Sequence, residues 1–460
     1  MLSDAAVVIL AAGQGTRMKS RLAKVLHRAG GKSLVKQTID TALQLAPPER
    51  VFVVVGYQAA QVRAEVEAAG VQAIHQTEQL GTGHAVKCGE DQLSKLGGRL
   101  IVFVGDCVLV RASTLEDLAE TQRITKSAAA VITTEVDDPT GYGRIIRNAD
   151  GGVQEIVEQK AATPEQLAVH EINSGIFCFE AHLLWKHIHS IRPDNPAHEY
   201  YLTDMVSIFA NAGLSVTALK TADPNELLGI NNRVELAAAD RILRERKVHQ
   251  LMLDGVTVER PETVTIDSDV VIGMDTVVGP FAQITGETVI GENCRIGASS
   301  IVHHSILGDD VEVFPFSIVH SSTLNRHAEV GPFARLRVGA HLGDGAHVGN
   351  FVELKKTSLG AGSKSMHLAY LGDSTIGEKV NIGAGTITCN YDGHKKHPTT
   401  IGDGVFVGSN STLVAPIKIE EGAYIGAGSV ITHTVPARSL ALGRARQVIK
   451  EGWKKRTTGD

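Results

Sequence analysis

The sequence predicts two joined folds: an α/β domain with a mixed sheet, followed by a parallel β-helix. Before about residue 228, the short apolar runs 6–10, 51–55 and 100–104 alternate with amphipathic stretches. Such runs are typical of strands that are buried on both faces of a largely parallel sheet. After residue 255 an aliphatic residue recurs every six positions, a period that is typical of stacked coils.

The helices of the first part lie between its apolar runs. Residues 34–43 place mostly apolar side chains at helical spacing, and residues 60–69 repeat the pattern more weakly. We therefore expect helices that cover the sheet. The positions that recur in the first of these segments are Leu34, Val35, Thr38, Ile39, Ala42 and Leu43.

The length indicates more than one domain, because 460 residues exceed what one hydrophobic core usually holds. One helix is predicted between the two folds, from residue 231 to about residue 255. Apolar residues are sparse there among many charges, and Asp240 lies four residues before Arg244, a spacing that favours a helix. We therefore expect an α/β domain at residues 1–230, a linker helix at 231–254 and a β-helix domain at 255–460.

The six-residue series predicts how the second domain is built. Each hexad supplies one short strand and a turn, so three hexads make one triangular coil with the aliphatic side chains inside. The series slips by one residue at Leu307 and Leu324, and it lapses between Leu354 and Ile376. The polar segment 388–400 is too long for its hexads and is expected to loop out, as functional loops on solenoids do.

The composition favours a small-molecule substrate. The net charge is −6 and no block of Lys or Arg stands out, so no basic footprint for nucleic acid or a membrane is visible. No signal-peptide pattern and no apolar segment of ~20 residues is present. The five scattered cysteines are typical of reduced thiols, and we expect a soluble cytoplasmic protein.

The first apolar run leads into a small-residue turn, Ala-Ala-Gly-Gln-Gly-Thr-Arg-Met at residues 11–18. Its backbone N–H groups can approach phosphate oxygens, and Arg17 with Lys24 can neutralise a triphosphate. An ordinary tight turn is the alternative interpretation. Met18 occupies the third glycine position of the dinucleotide fingerprint, which argues against a dehydrogenase.

Asp106 follows the third apolar run, at the edge of the sheet where ligands bind in open α/β folds. A carboxylate in that place suits Mg²⁺, although it also suits the cap of the next turn.

Nine motifs together resemble those of a known family. The residues that carry the resemblance are 10–18, 22–27, 76–84, 138–144 and 229–233 in the first part, and 331–337, 348–356, 370–373 and 381–393 in the second. They are similar to the sugar-nucleotide pyrophosphorylases, and most of all to the bifunctional N-acetylglucosamine-1-phosphate uridyltransferases/glucosamine-1-phosphate N-acetyltransferases. The resemblance covers nearly the whole chain.

This resemblance implies a Rossmann-like nucleotidyltransferase domain and a left-handed parallel β-helix of hexapeptide repeats, although ordinary parallel crossovers have the opposite hand. It implies acetyl transfer from acetyl-CoA to glucosamine-1-phosphate, then uridylyl transfer from UTP to N-acetylglucosamine-1-phosphate with release of pyrophosphate. It also implies a homotrimer with sites between subunits and a role in cell-wall precursor synthesis. The alternative is a monofunctional nucleotidyltransferase whose β-helix serves assembly or regulation.

In the first domain the resemblance assigns Mg²⁺ to Asp106 and Asn231, the uracil to Gln76, Gln79, Gly81 and Thr82, and the amino sugar to Gly143, Glu158 and Asn173. Amide side chains suit a base edge because they both donate and accept. The remaining residues expected to bind UTP or the UDP-sugar are Leu10, Ala11, Ala12, Gly13, Gly15, Arg17, Lys24, Gly105 and Asn231.

In the second domain the resemblance assigns the general base of acetyl transfer to His367. Histidine suits this role because the unperturbed pKa of an imidazole, about 6.5, lies near neutral pH. The chain holds 19 histidines, so this one stands out only through its neighbours. The expected sugar-phosphate residues are Arg337, Lys355, Tyr370, Asn381, Asn390 and Tyr391. The expected acetyl-CoA residues are Ala384, Asn390, Tyr391, Ser409, Ala427 and Arg444. His394 and His397 are expected to belong to an exposed loop rather than to a metal site.

Several positions depart from the family pattern. Ala23 and Val338 replace a usual proline, Val104 replaces a usual tyrosine, and Cys107-Val108 replaces Val-Pro. Because proline restricts the backbone, its loss should loosen the loops that aim Lys24 and Asp106.

Overall fold

The computed structural model describes residue 2 and residues 4–453; the last seven residues of the expected β-helix domain lie outside the described part. The chain forms two compact units that divide between Leu243 and Arg244. This division falls within the long helix Arg233–Leu253, where the sequence predicts a linker helix. Among the described residues, no helix combines the length and apolar character that crossing a membrane requires. All five cysteines are free thiols.

The first unit is built on a mixed sheet with the strand order β11-β7-β10-β6-β1-β4-β5, and the β8–β9 hairpin joins it through β10. β1 pairs in parallel with β4 and β6, whereas β10 runs antiparallel between β6 and β7. The strands, numbered in chain order, are β1 Ala5–Leu10, β2 Arg28–Ala29, β3 Lys32–Ser33, β4 Val51–Val55, β5 Gln72–His75, β6 Arg99–Val104, β7 Ala129–Glu135, β8 Arg144–Arg147, β9 Val153–Val157, β10 Glu171–Glu180 and β11 Val216–Lys220.

Helices cover both faces of this sheet. All five residues of β4 are buried, and they alternate between two apolar clusters, so both faces need a cover. Val53 packs into the cluster that contains residues of α1 and α5, and Val54 packs into the cluster that contains residues of α7 and α8. The helices are α1 Leu34–Leu45, α2 Ala59–Ala68, α3 Thr82–Lys87, α4 Glu90–Leu93, α5 Ala112–Thr125, α6 Pro164–Leu167, α7 Ala181–His187, α8 Asp204–Asn211 and α9 Arg233–Leu253.

The second unit is a left-handed parallel β-helix whose coils contribute one strand to each of three sheets. The first sheet contains β12 Thr257–Val258, β15 Val277–Val278, β18 Arg295–Ile296, β21 Glu312–Val313, β24 Glu329–Val330, β27 His347–Asn350, β30 Lys364–His367, β33 Asn381–Ile382, β36 Phe406–Val407, β39 Tyr424–Ile425 and β41 Leu440–Ala441. The second contains β13 Thr265–Ile266, β16 Gln283–Thr285, β19 Ile301–His303, β22 Ile318–His320, β25 Arg335–Leu336, β28 Glu353–Lys355, β31 Tyr370–Gly372, β34 Ile387–Cys389, β37 Thr412–Val414 and β40 Val430–Ile431. The third contains β14 Val271–Ile272, β17 Val289–Ile290, β20 Ile306–Leu307, β23 Thr323–Leu324, β26 His341–Leu342, β29 Ser358–Leu359, β32 Ser374–Ile376, β35 Thr399–Ile401 and β38 Ile417–Ile419.

One side chain from each hexad fills the interior of the β-helix. The expected inward positions are buried: Ile266, Ile272, Val278, Ile284, Ile290, Ile296, Val302, Leu307, Val313, Val319, Leu324, Val330, Leu336, Leu342, Val348, Leu354, Ile376, Ile382, Ile401, Val407, Leu413, Ile419, Ile425 and Ile431.

The coils also continue where the aliphatic series lapses. Leu359 and Leu371 are buried there, and the inward positions Ser365 and Thr388 are polar, which explains why the pattern fades. Residues 390–398 then leave the coil between β34 and β35.

Two candidate active sites

A cleft of about 360 Å³ opens in the first unit at the carboxyl ends of β1, β5 and β6. Ligands of open α/β sheets bind at this edge. Ten of the residues expected to contact UTP or metal line it. Gln14, Val25 and Val104, which belong to the predicted motifs or apolar runs, line it as well, together with Ala85 and Glu199, for which the sequence provides no signal. The ten are Leu10, Ala11, Ala12, Gly13, Lys24, Gln76, Gln79, Gly81, Thr82 and Asp106.

The small-residue turn lies directly against Lys24. Gly15 has a φ of 66°, and a Cβ there would stand 2.5 Å from the Cβ of Lys24, so glycine alone fits without displacement. Arg17 follows in the 3₁₀ turn Thr16–Met18. The turn therefore brings Arg17 and Lys24 to one side of the cleft.

Two oxygen ligands converge on the ammonium group of Lys24. Its Nζ contacts the Asp106 carboxylate and donates to Asn231 Oδ1 at 3.3 Å. Arg17 Nη2 donates to the same Asn231 oxygen at 2.7 Å. A carboxylate and an amide oxygen that already share one cation are a donor set that suits a hard divalent metal. In the described part of the chain no group of three or more His, Cys, Asp or Glu side chains could hold a metal.

Hydrogen bonds to neighbouring backbone groups hold the residues that are assigned to the uracil base. Gln76 Nε2 donates to the carbonyl of Gly81 at 3.1 Å, and Gln79 Nε2 donates to the carbonyl of Gln76 at 3.3 Å. Thr82 Oγ1 accepts from the N–H of Leu202 at 3.0 Å. Since a Cβ on Gly81 would lie 2.6 Å from the carbonyl oxygen of Tyr200, this segment requires glycine for its close approach.

The three residues assigned to the amino sugar meet at Gly143. A Cβ on Gly143 would lie 3.5 Å from Glu158 Oε1 and 3.6 Å from the Cβ of Asn173. Burial raises the pKa of Glu158, although a hydrogen bond from Thr203 opposes the effect. Burial together with the charge of Glu158 raises the pKa of Asp204 to about 6. The carboxyl group at this end of the site is therefore partly desolvated.

The departures in the first domain have different structural consequences. The N–H of Ala23, which a proline would lack, donates to Gln58 Oε1 at 2.7 Å, and Gln58 Nε2 donates to the carbonyl of Arg21 at 2.6 Å. Val104 lines the cleft. Cys107 is buried, which raises its pKa, and Val108 is buried in a cluster with Leu34 and Leu109. Gln58 thus tethers the loop that a proline would have stiffened.

In the second unit, cations collect where strands of the second sheet end. Arg337 and Lys355 follow the aligned inward residues Leu336 and Leu354 in successive coils. Arg337 Nη1 donates to Glu353 Oε1 at 2.8 Å. The nearby ammonium group of Lys396, from the loop 390–398, is the main cause that lowers the pKa of Lys355. The sequence predicts a functional loop here through Asn390 and Tyr391, but it gives no signal for Lys396.

Tyr370 and Asn390 join this cluster at Gly372. Lys355 and Gly372 are partners in the ladder between β28 and β31. A Cβ on Gly372 would lie 2.6 Å from both the hydroxyl of Tyr370 and Nδ2 of Asn390. Asn390 also donates to the Asp373 carboxylate. Only a glycine at this point lets the Tyr370 hydroxyl and the Asn390 amide approach the backbone so closely.

His367 ends β30 of the first sheet, at the corner just before β31 of the second sheet begins. Its Nδ1 is 2.6 Å from Oδ1 of Asn350. Four residues separate it from Gly372, and Leu368, with a φ of 49°, turns the chain into β31, so the histidine precedes β31 and the cations lie at its far end. The small residues Ala384, Ser409 and Ala427 hold the position of His367 in the next coils, each second after a buried Ile or Val.

Asn381 and Arg444 lie apart from this cluster, whereas Tyr391 pairs with Lys396 within the loop 390–398. Asn381 belongs to the first sheet, where it pairs with Lys364 and Phe406. The Tyr391 hydroxyl donates to the carbonyl of Gly393 at 2.6 Å, and its ring is 61% exposed. Arg444 is exposed beyond the last strand. His394 and His397 lie on the loop 390–398, where His397 Nε2 is 2.6 Å from the carboxylate of Asp392.

The two units define a class of protein, a nucleotidyltransferase fused to a hexapeptide-repeat transferase. The family described as the MobA-like NTP transferase domain matches residues 7–165. The bacterial transferase hexapeptide family, with six repeats, matches residues 398–433, and the GMPPB C-terminal domain matches residues 254–350.

Relatives along the whole chain identify the family. The chain is 59% identical over 450 residues to the Bifunctional protein GlmU of Solibacter usitatus, which covers 98% of this chain and 97% of the relative. It is 48% identical over 451 residues to the Bifunctional protein GlmU of Koribacter versatilis, covering 97% and 96%, and 46% identical over 454 residues to that of Pelobacter propionicus, covering 98% of each.

The chain belongs to the GlmU family. The enzyme is therefore a bifunctional uridylyltransferase and N-acetyltransferase, as the motifs implied, and the monofunctional alternative is not favoured. Its nucleotidyl transfer needs a divalent metal, and its substrates are small molecules.

Proposed function

We propose that the cleft of the first unit binds UTP against the turn at residues 11–18 and N-acetylglucosamine-1-phosphate near Gly143. In this arrangement Gln76, Gln79, Gly81 and Thr82 hold the uracil, and Glu158 with Asn173 holds the amino sugar. The hydrogen bonds that join Gln76, Gln79 and Gly81, and the approach of Glu158 and Asn173 to Gly143, support this assignment. Gly105 directly follows β6. A Cβ added at this position would lie 3.3 Å from the Cβ of Ala11, so a larger residue would crowd the turn that follows β1.

We infer that Arg17 and Lys24 neutralise the phosphates while an oxygen of the sugar phosphate attacks the α-phosphorus of UTP in line with the departing pyrophosphate. The reaction breaks one P–O bond and forms another, so orientation and charge neutralisation provide most of the catalysis. No side chain has to act as a nucleophile.

We propose that the required divalent metal is Mg²⁺ and that Asp106 and Asn231 hold it. The convergence of both oxygens on Lys24 Nζ supports this, because the two groups already meet around one positive charge. When bound, such an ion stabilises the charge that develops on the phosphates. Lys24 is expected to turn from Asp106 towards a phosphate oxygen.

In the second unit we propose that His367 takes the proton of the glucosamine-1-phosphate amine as the amine attacks the thioester carbonyl of acetyl-CoA. Arg337 and Lys355 bind the sugar phosphate, since fixed cations suit that dianion. Tyr370 and Asn390 contact the sugar. The small residues Ala384, Ser409 and Ala427 leave a groove beside His367 for the pantetheine arm of coenzyme A.

We further propose that the β-helix associates as a homotrimer and that a neighbouring copy completes the acetyl-transfer site. The separate positions of Asn381 and Arg444 support this, because one chain leaves them outside the cluster around Lys355. Apolar side chains exposed on the third sheet also support association: Val271 is 56%, Val289 44% and Ile306 56% exposed.

The observation that carries the proposal is the meeting of Lys24, Asp106 and Asn231 in one cleft, separate from the His367 site in the other unit. Asp106→Ala should abolish metal-dependent pyrophosphate release from UTP and N-acetylglucosamine-1-phosphate and spare thiol release from acetyl-CoA. His367→Ala should do the reverse. Equal loss of both activities in either variant would contradict two independent sites.

A further inference from the structure

The orientation of the His367 ring depends on one neighbour rather than on burial. His367 is exposed, and its Nδ1 is 2.6 Å from Oδ1 of Asn350. An amide oxygen only accepts, so Nδ1 carries the proton and donates it to Asn350. In a neutral imidazole the other nitrogen, Nε2, then holds the lone pair that a general base requires.

The backbone holds these two side chains in register. β27 and β30 are four residues long, whereas the other strands of the first sheet have two, and their ladder reaches the pair Asn350 and His367. The N–H of Leu368 donates to the Asn350 carbonyl at 3.1 Å. A Cβ on Gly349 would stand 2.0 Å from the Met366 carbonyl oxygen, so the two coils approach as closely as glycine permits.

The turn itself does not require an asparagine at position 350. The corresponding position, second after the buried inward residue of the first sheet, holds arginine in the first coil and proline or alanine in the four coils before Asn350. In the following coils it holds alanine or serine. The residues of this column before Asn350 are Arg260, Pro280, Ala298, Pro315 and Pro332, and those after His367 are Ala384, Ser409 and Ala427. An amide appears in this column only beside the histidine.

We propose that Asn350 is a positioning residue of acetyl transfer, whose side-chain oxygen fixes the tautomer and the ring orientation of His367. The proposal rests on the assignment of His367 as the general base. In the step, the substrate nitrogen forms a bond with the thioester carbon, the carbon–sulfur bond breaks, and the nitrogen gives its proton to Nε2. The histidine then returns that proton to the departing thiolate. Throughout, Nδ1–H stays bonded to Asn350, whose oxygen also stabilises the imidazolium.

The test compares Asn350→Leu with Asn350→Asp in the full-length enzyme, using thiol release from acetyl-CoA across a range of pH. Asn350→Leu keeps the side-chain size but removes the acceptor, and we expect kcat to fall about 10- to 100-fold with KM values within about twofold. Asn350→Asp keeps an acceptor, and we expect kcat to recover to within about tenfold of the wild type. Because a carboxylate raises the pKa of a neighbouring histidine, the rising limb of the pH–rate profile should move to higher pH.

Two controls separate the possible failures. Asn325→Leu changes another turn asparagine of the β-helix and should leave acetyl transfer unchanged, and uridylyl transfer should be unchanged in every variant. If His367→Ala keeps acetyl transfer, the assigned base is wrong. If His367→Ala is inactive but Asn350→Leu has a wild-type kcat and pH profile, only the role of Asn350 is wrong. The role of Asn350 would also be overturned if Asn350→Leu and Asn350→Asp lost kcat equally without a shifted pH profile. Aspartate still offers an acceptor to Nδ1–H, so it should restore part of kcat if that acceptor matters.

Discussion

The backbone N–H of Ala23 donates to the side-chain oxygen of Gln58 over 2.7 Å, across 35 residues of sequence. Ala23 directly precedes Lys24, so this bond anchors the loop that carries the phosphate-binding ammonium group. The φ of Ala23 is −56°, a value that proline also adopts. The chain therefore keeps the backbone shape of the family's proline and replaces the rigidity of its ring with a hydrogen bond.

This pairing predicts coupled effects at the two positions. Gln58→Leu should lower kcat/KM of uridylyl transfer about 5- to 10-fold, because a loosened Lys24 loses its alignment. A proline at position 23 has no N–H and cannot form this hydrogen bond. In an Ala23→Pro background, Gln58→Leu should therefore lower kcat/KM less than about twofold. Steady-state kinetics of the four enzymes form the cycle. Fully additive effects would show that the bond does not align Lys24.

Lys396 is predicted to contribute to binding of the sugar phosphate. Its ammonium group lies beside Lys355 and lowers the pKa of that residue, so a dianion placed there meets two adjacent positive charges. Lys396→Ala should raise KM for glucosamine-1-phosphate about tenfold and leave KM for acetyl-CoA within about twofold. Lys395→Ala, its neighbour on the loop, is the matched control. Similar effects of both variants would indicate general attraction rather than a defined contact.

The buried carboxyl of Asp204 predicts a pH-dependent stability. Burial raises its pKa from 3.8 to about 6, so the folded protein binds that proton more tightly than the unfolded chain. The stability from the protonated form is therefore present below about pH 4 and is lost as the pH rises through 6. Asp204→Asn should raise the free energy of unfolding of the first unit by about 1 kcal/mol at pH 7.5. The gain is modest because solvent reaches the carboxyl group and screens its charge.

Denaturant unfolding at pH 4 and at pH 7.5 tests this expectation for Asp204. At pH 4 the variant and the wild type should have nearly equal stability, since both side chains are then neutral. A gain of equal size at both pH values would mean that the carboxylate charge is not the cause.

Ser365 is predicted to destabilise the coil that carries His367. It holds an inward position between Val348 and Ile382, is fully buried, and its hydroxyl has no hydrogen-bond partner among the residues that the structure describes. Ser365→Ala removes that hydroxyl and should raise the free energy of unfolding of the second unit by about 1 kcal/mol. Calorimetry measures the change. Destabilisation instead would indicate that the hydroxyl does find a partner in solution, such as an ordered water.

Sequence reasoning reached furthest where the physical signal is local. The inward series from Ile266 to Ile431 was predictable because each coil repeats one short pattern, and an aliphatic side chain stacks on its equivalent in the next coil. It failed at Ser365 and Thr388, which occupy inward positions without an aliphatic side chain. Position in the hexad, rather than hydrophobicity, identifies them.

The candidate sites were predictable only in part. The glycine-rich turn and Asp106 are adjacent to strands in sequence, so their place at the sheet edge follows from the strand order. Gln58, Glu199 and Lys396 carry no such signal, because each reaches its site through a segment far from the residues it assists. Asn350 does stand out in the sequence, because the equivalent position in the neighbouring coils mostly holds proline or alanine.

The sequence by itself determined the two folds and their order, since apolar periodicity depends on burial of neighbouring residues along the chain. The tertiary structure alone decided which polar side chains meet: Lys24 with Asn231, Ala23 with Gln58, and Asn350 with His367. A hydrogen bond needs two groups within about 3 Å, and only the packing of distant segments brings them to that distance.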